Sequence, residues 1–444
     1  MSTTLSLSQN VADYAYCEAD SRIAPHYQTL ILEDGVEEVG TAAFANNLFG
    51  EVQFPESLKR IGANAFMGCE GLTRIVLPEG VTEIGVGAFM GCIRLQEVRL
   101  PSSLERIDDA VFLGCLSLQQ VVWPNGSRSV GTFSFCECAK LQAISLPDSI
   151  EEIGDFAFRG CESLATVKLS ASLTHIGMHA FLGAPIRLLS IPEAVQEIGA
   201  GAFGGTFSIA CESPAFRLKN GLLLDVLETH ILWGSRDEKE LILPEVRSIG
   251  DFAFAYAKMQ HVVLPNGLQQ IGNGAFFGCS EIESIDIPQA VQSIGASAFE
   301  LCVRLKSVSI PTPISELPNY LFKKCVSLEH LDLPETVRTI GDYAFYGCRS
   351  MKTLDLPESV QSIGAMAFAG MYELTKVSLP ENLQEIPRGA FYYDTQLAEV
   401  IWPKHLTDIA AGAFYCTPRT LLPSIPEQFR TRAIEPISEP EPLG

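Results

Sequence analysis

Basic residues are scarce in this sequence. Its 444 residues hold 31 Lys or Arg against 53 Asp or Glu, a formal net charge of −22. A surface this acidic repels phosphate backbones and anionic headgroups, so neither nucleic acid nor a membrane surface is an expected partner. Long apolar runs are missing too. None approaches the roughly 18–20 residues that span a bilayer, so no membrane insertion is expected. The first 20 residues, MSTTLSLSQNVADYAYCEAD, contain no Lys or Arg. The basic segment of a secretory signal is therefore lacking, and a cytoplasmic location is the expectation.

Metal and redox spacings are also absent. The 13 Cys are an odd number in a long chain, which does not look like a disulfide framework. No CxxC pair occurs, and Cys136-Glu-Cys138 is the one close pair. No His accompanies a recurring Ser or Asp in the manner of a catalytic triad. No metal, cofactor or catalytic residue is expected.

What the sequence does contain is a repeat. IGVGAFMGCIRL (84–95) is preceded by IGANAFMGCEGL (61–72) and followed by IDDAVFLGCLSL (107–118). Aligned on the Phe of this element, the chain gives Phe44, Phe66, Phe89, Phe112, Phe135, Phe158, Phe181 and Phe203. It then gives Phe254, Phe276, Phe299, Phe322, Phe345, Phe368, Phe391 and Phe414. The spacing is 22 or 23 throughout, apart from one gap of 51. A fixed period of this size signals a solenoid.

Within the unit Leu72–Cys92, the alternation around Arg74–Leu77 predicts a short strand with Ile75 and Leu77 inward. Pro78 ends it, because proline cannot donate to a ladder. Val81 and Ile84 make a second inward step, Gly85 a corner, and Ala88-Phe89 a short helical or 3₁₀ turn. No unit buries its apolar face alone, and stacking makes one continuous core. The predicted fold is an α/β repeat solenoid of about sixteen coils with a parallel strand face. At ~4.8 Å per rung it makes a curved rod on the order of 75 Å long.

The recurring pattern LPxxVxxIGxxAFxGCxxL, as in LPDSIEEIGDFAFRGCESL (146–164) and again over 333–351, resembles the BspA-type leucine-rich repeat family. The resemblance covers roughly 28–423. It implies a leucine-rich-repeat solenoid and a binding role, with adhesion to host or matrix proteins and a surface location as the family associations.

The gap of 51 holds Asn220-Gly221 between alternating apolar segments, a hairpin signal. The expected organisation is an N-terminal cap or extension over 1–27 and a first block over 28–206. A β-hairpin insertion follows over 207–240 and a second block over 241–423. A disordered, Pro- and Glu-rich tail closes the chain over 424–444.

Several motifs resemble sites and are better explained by the repeat. Nine Cys lie three residues after a repeat Phe: Cys69, Cys92, Cys115, Cys138, Cys161, Cys279, Cys302, Cys325 and Cys348. Ala184, Thr206 and Ala257 share that position, so a core ladder of small side chains with reduced thiols is expected. Gly199–Gly204 matches GxGxxG only through the repeat register. His175 and His179 are four apart but are separated by the Ile176-Gly177 corner. The sixteen Phe read as a buried spine.

Function must then lie in positions that do not repeat, on the outward side of the strands. The candidates are Arg74, Glu97, Arg99 and Lys168 in the first block. In the second they are Ser284, Asp286, Ser307, Ser309, His330, Asp332, Thr353, Asp355, Lys376 and Ser378. Repeat solenoids recognise partners over such extended faces. The expected function is a non-catalytic, monomeric scaffold that binds a protein, with an adhesin-like role implied by the resemblance. Carbohydrate binding by the Ser/Thr/Asp face ranks below it, for want of exposed aromatic platforms. A glycan-acting enzyme is a weaker alternative, with Asp332 and Asp355 on adjacent rungs ~5 Å apart.

Overall fold

Each coil is built from two inward steps. In the Leu72–Cys92 unit, Ile75, Leu77, Val81, Ile84, Ala88, Phe89 and Cys92 are all buried. The first step is the strand Arg74–Val76 and the second is the two-residue strand Glu83–Ile84. Strands of successive coils pair in parallel and in register, Arg74 with Glu97 and Glu97 with Gln120. The second strands do the same, Arg60 with Glu83. Each coil therefore presents one strand to a first ladder and one to a second, and each ladder is divided into several short sheets. The sequence marked the second step as buried but not as a strand.

The computed structural model describes residues 4–16, 27–235 and 237–437. They divide into two compact units, Met1–Val226 and Leu227–Gly444. Inside each unit the repeat Phe form a stacked column. Ring centroids of successive residues in Phe66–Phe89–Phe112 are 5.4 and 5.7 Å apart, and in Phe276–Phe299–Phe322 both are 5.5 Å apart. Each such contact adds about 0.5–1.5 kcal/mol beyond the area it buries.

The return path differs from the short helical segment expected around Ala88-Phe89. It is a turn with two left-handed residues, one two positions before the Phe and one two after. Gly87 has φ 65° and Gly91 has φ 71°. A right-handed helix cannot pass through either, so the coil is almost free of helix. Where these sites carry aromatic side chains, neighbours stack: Phe133 on Phe156 at 4.7 Å and Tyr320 on Tyr343 at 5.3 Å. Stacking offsets part of the roughly 1–2 kcal/mol that a left-handed residue costs. The corner glycine has another reason. A Cβ on Gly85 would lie 2.6 Å from the Ala63 amide nitrogen of the previous coil.

Unit 1 opens with a coil that the Phe series does not reveal. Thr4–Leu7 pairs in parallel with Thr29–Leu32, and Val11 bridges Val39. Tyr14 takes the left-handed site at φ 55°, and the Tyr16 ring stacks on Phe44 at 5.4 Å. Tyr14-Ala15-Tyr16 is thus a disguised xAF element. At its other end, Ile209–Cys211 still pairs with Leu189–Ile191. The hairpin itself spans only Phe216–Lys219 and Leu222–Asp225, turning through Asn220 (φ 49°) and Gly221 (φ 72°). Two positive φ values make a type I′ turn, whose twist matches that of the strands it joins.

Unit 2 begins its second ladder with His230–Gly234, paired to Ser248–Ile249, and its first with Glu240–Ile242, paired to His261–Val263. At its end, residues 424–437 form a cap and not the disordered tail expected for 424–444. After Glu427–Phe429 and the single helical turn Arg430–Ala433, Arg432 O accepts from Gly412 N and Ala433 O from Phe414 N. These are the bonds that a further coil would accept. Ala433 is buried and Ile437 packs on the Tyr346–Met366–Tyr392 cluster. The Pro and Glu content concealed two apolar anchors, Ala433 and Ile437. Residues 438–444 lie outside the described residues.

Candidate functional site

The outward strand positions fall on separate surfaces. In unit 2, Ser284–Asp286, Ser307–Ser309 and His330–Asp332 form one sheet. Ser284, Ser307 and His330 align as one column, and Asp286, Ser309 and Asp332 as the next. All six are exposed. Their backbones are fixed by ladder pairing and by buried Ile285 and Val308. Among the described residues, none of the six side chains forms a hydrogen bond or ion pair. The other named residues of unit 2 lie on the next sheet, where Thr353 pairs with Lys376 and Asp355 with Ser378. There Ser378 Oγ donates to Asp355 at 2.6 Å, and Lys376 meets Glu399 at 2.9 Å.

Asp332 and Asp355 are therefore not hydrogen-bonded neighbours. Their strands belong to different sheets, and Asp355 is engaged by Ser378. The ladder opens between them, and Leu331 at the centre of its strand is only half-buried.

In unit 1 the named residues are spread more widely. Arg74 binds Glu97 at 3.2 Å, so these two neutralise one another. Arg99 stands in register with Val76 and Val122, and Lys168 with Ser145.

A second surface was missed by reading only the first strand. Arg106, Ser129, Glu152, His175 and Glu197 stand in register on the second ladder of unit 1. They line an open groove of about 900 Å³ floored by Gly131, Gly154, Gly177 and Gly199. His175 Nε2 lies 3.4 Å from Glu197, and its Nδ1 is 2.7 Å from Thr174 Oγ1. The signal was available as the varying residue before each Ile-Gly corner. His179 does not join His175, because it occupies a left-handed turn site at φ 54°. No group of three metal-ligating side chains is assembled among the described residues.

Many acidic residues have a structural task. The residue after the corner position, which is Gly154 or Gly341 in two coils and Asp108 in a third, caps the next coil. Asp109, Asp155 and Asp342 accept from the amides of Thr132, Met178 and Ala365 at 2.8, 2.6 and 2.7 Å.

The Cys column also has a sharper logic than small size. All nine ladder thiols point at the carbonyl of the Phe one coil earlier, as Cys92 Sγ to Phe66 O at 3.2 Å and Cys325 to Phe299 O at 3.0 Å. Cys is the small side chain that can donate there and still pack as a hydrophobe. Burial pushes the Cys92 thiol up to about 12 and those of Cys115, Cys138, Cys161, Cys302, Cys325 and Cys348 upward too, which suppresses the reactive thiolate. Asp394 occupies this position in unit 2. Its Oδ1 accepts from Met371 N at 2.8 Å, and among the described residues Oδ2 has no hydrogen-bond partner. Complete burial drives its pKa well above the usual carboxylate range.

Comparison with known proteins follows the same geometry. A family model described as a BspA type leucine rich repeat region matches residues 23–119, 105–211, 234–331 and 315–432. Among solved structures, a leucine rich cell surface protein from Faecalibacterium prausnitzii A2-165 is 22% identical. The similarity covers 98% of this chain and 94% of that one, with a TM-score of 0.52. A leucine-rich repeat protein from Bacteroides ovatus ATCC 8483 is 25% identical over 85% of this chain and 86% of that one, TM-score 0.40. The T. pallidum leucine rich repeat protein is 25% identical over 47% of this chain and 90% of its own, TM-score 0.37. No curated protein matches. With the family model covering most of the coils, the chain belongs to the BspA-type leucine-rich repeat family.

Proposed function

We propose that the protein is a non-catalytic scaffold that binds a protein partner through the outward strand face of unit 2, centred on Ser284, Asp286, Ser307, Ser309, His330 and Asp332. Thr353, Asp355, Lys376 and Ser378 extend that face. Arg74, Glu97, Arg99 and Lys168 contribute a lesser surface in unit 1.

One observation carries this reading. Six exposed polar side chains are held in register on one sheet, and among the described residues none is spent on a partner. A preordered surface loses little entropy when it binds. Its two carboxylates favour a basic partner surface, since complementary charge steers association. An adhesin-like role follows if that partner is a host or matrix protein, and the partner's location fixes the compartment.

The test uses the full chain as bait against lysate and against purified matrix proteins, beside an Asp286→Lys, Asp332→Lys, Asp355→Lys bait. A partner held by the first bait and lost by the second supports the proposal. A partner held equally by both moves the interface off this face.

A further inference from the structure

The first ladder of unit 1 is interrupted at three places, after Glu51–Gln53, after Gln120–Val122 and after Thr166–Lys168, and the second of these lies between Gln120–Val122 and Ala143–Ser145. These strands belong to successive coils, yet they lie in different sheets. The amides of Leu77, Leu100 and Leu146 each donate to the third strand residue of the next coil, at 3.1, 3.1 and 3.0 Å. Among the described residues, the Trp123 amide has no such bond to Ser145, as the Phe54 and Leu169 amides have none at the other two interruptions. The second ladder stays closed across the same coils, with Arg106, Ser129 and Glu152 in register. The coils therefore part on one side only. The result is a cleft of about 780 Å³.

The lining of this cleft is mixed. Val121, Trp123 and Ile144 supply apolar surface, while Asn125, Ser145, Asp148, Thr166 and Lys168 stand around it. Trp123 is half-buried. Its ring leans on Phe135 at 5.1 Å and on Phe158 at 6.4 Å.

Unit 2 shows that the opening does not require a Trp. One of the two interruptions of its first ladder falls at the matching coil, between His330–Asp332 and Thr353–Asp355. Phe322 lies 210 residues after Phe112, and by the same offset Leu333 is the counterpart of Trp123. Leucine is sufficient for the fold at that place. The indole in unit 1 is extra aromatic surface, set in a cleft with polar side chains and open backbone groups.

We propose that the cleft between Gln120–Val122 and Ala143–Ser145 binds a saccharide, with a pyranose ring against the Trp123 indole and its hydroxyls on Asn125, Asp148 and the open strand backbone. A sugar ring offers apolar C–H faces to an aromatic surface. Its hydroxyls both donate and accept, so one ligand can serve the unpaired Trp123 N–H and Ser145 C=O together. An apolar peptide side chain would leave those groups buried and unpaired, which is costly. This site lies in unit 1 and does not rest on the protein-binding face of unit 2.

The test titrates the full chain with chitotriose, N-acetyllactosamine and mannotriose by calorimetry and saturation-transfer NMR. The expected result is binding of at least one of these. Trp123→Leu should weaken it about tenfold or more, with thermal unfolding unchanged because Leu is tolerated at the matching coil. Asn125→Ala and Asp148→Ala should weaken it as well. The Asp286→Lys, Asp332→Lys, Asp355→Lys chain should bind the sugar normally, which separates this site from the face of unit 2. Absence of binding by all three sugars, or binding that Trp123→Leu leaves intact, would overturn the proposal.

Discussion

The two units share a backbone plan and use its variable positions differently. In unit 1 several exposed charges of both ladders are matched across rungs, while Arg99 and Lys168 stand beside uncharged residues. Arg60 meets Glu83 at 3.1 Å, Arg74 meets Glu97 at 3.2 Å, and His175 meets Glu197 at 3.4 Å. In unit 2 the central strand face carries Ser, Asp and His with no such matching. Beside it, Lys306 meets Glu283 at 2.8 Å in the segments that lead into the strands, and Lys376 meets Glu399 at 2.9 Å on the next sheet. Each exposed pair contributes little to stability, about 0–1 kcal/mol. The contrast therefore bears on recognition more than on folding. A face whose charges are already matched presents a weak field, and an unmatched one presents its charge to a partner.

The columns inside the units diverge at their ends as well. Unit 1 runs through five Cys to Ala184 and Thr206, whereas unit 2 passes from Cys348 to Met371 and then to the buried Asp394. Unit 2 also carries the Lys323–Glu300 contact at 3.5 Å, where both side chains are nearly buried, and the ammonium lies 5.0 Å from the Tyr320 ring. At the matching positions of unit 1, 210 residues earlier, stand Leu113 and Met90.

The largest expected effect tests whether the two spines are equivalent. Phe89→Ala and Phe299→Ala should each cost about 3–5 kcal/mol. Each should lower the unfolding transition of its own unit in calorimetry. A single common shift for both variants would show that the units unfold together.

Asp394 should give unit 2 a pH dependence that the Cys at the same position does not give unit 1. Its folded pKa is raised. Its contribution is therefore fully present below the unfolded carboxylate range, near pH 4, and is lost as pH rises through the folded value. Asp394→Asn should remove that part of the pH slope. Asp394→Cys, which restores the ladder donor, should stabilise unit 2 by about 1–3 kcal/mol at pH 7. Thermal scans from pH 4 to 8 decide it, and identical slopes for wild type and Asp394→Asn would sink the idea.

Thiol labelling compares the two Cys columns directly. With iodoacetamide at pH 8, exposed Cys416 should label within minutes. The nine ladder thiols should label only as fast as their units open. Mass spectrometry of the peptides reads the order, and early labelling of a mid-ladder Cys would contradict the buried donor role.

The smallest effect is on surface pairs. The double-mutant cycle of Arg74→Ala and Glu97→Ala should give a coupling of about 0.5 kcal/mol or less, lost in 1 M salt. Asp286→Asn and Asp332→Asn should leave stability within about 0.5 kcal/mol of wild type. A larger loss would mean that those carboxylates support the fold.

The repeat made much of this molecule legible. Period, spine, corner and first strand depend on side-chain burial that recurs sixteen times, and a recurring pattern separates signal from variation. The Asn220-Gly221 turn was equally readable, because two adjacent positive φ values demand those residues. What did not recur was harder to see. Tyr14-Ala15-Tyr16 lacked the Phe, and the cap over 424–437 hid Ala433 and Ile437 among Pro and Glu. Of the candidate surface, the outward residues could be named, since strand alternation assigns them. Which of them act together could not be read, because that depends on where the ladder closes.

The sequence by itself determined the coil: which residues enter the core, where the chain turns, and that neighbours must stack. Only the tertiary structure decided the partnerships between coils. It set the second ladder, the thiol-to-carbonyl bonds, the matching of Arg74 with Glu97, and the openings beside Trp123 and Leu333. The physical reason is range. Burial and left-handed turns are imposed within one unit of 22 or 23 residues, while hydrogen bonds and ion pairs across rungs depend on how each coil settles on the next.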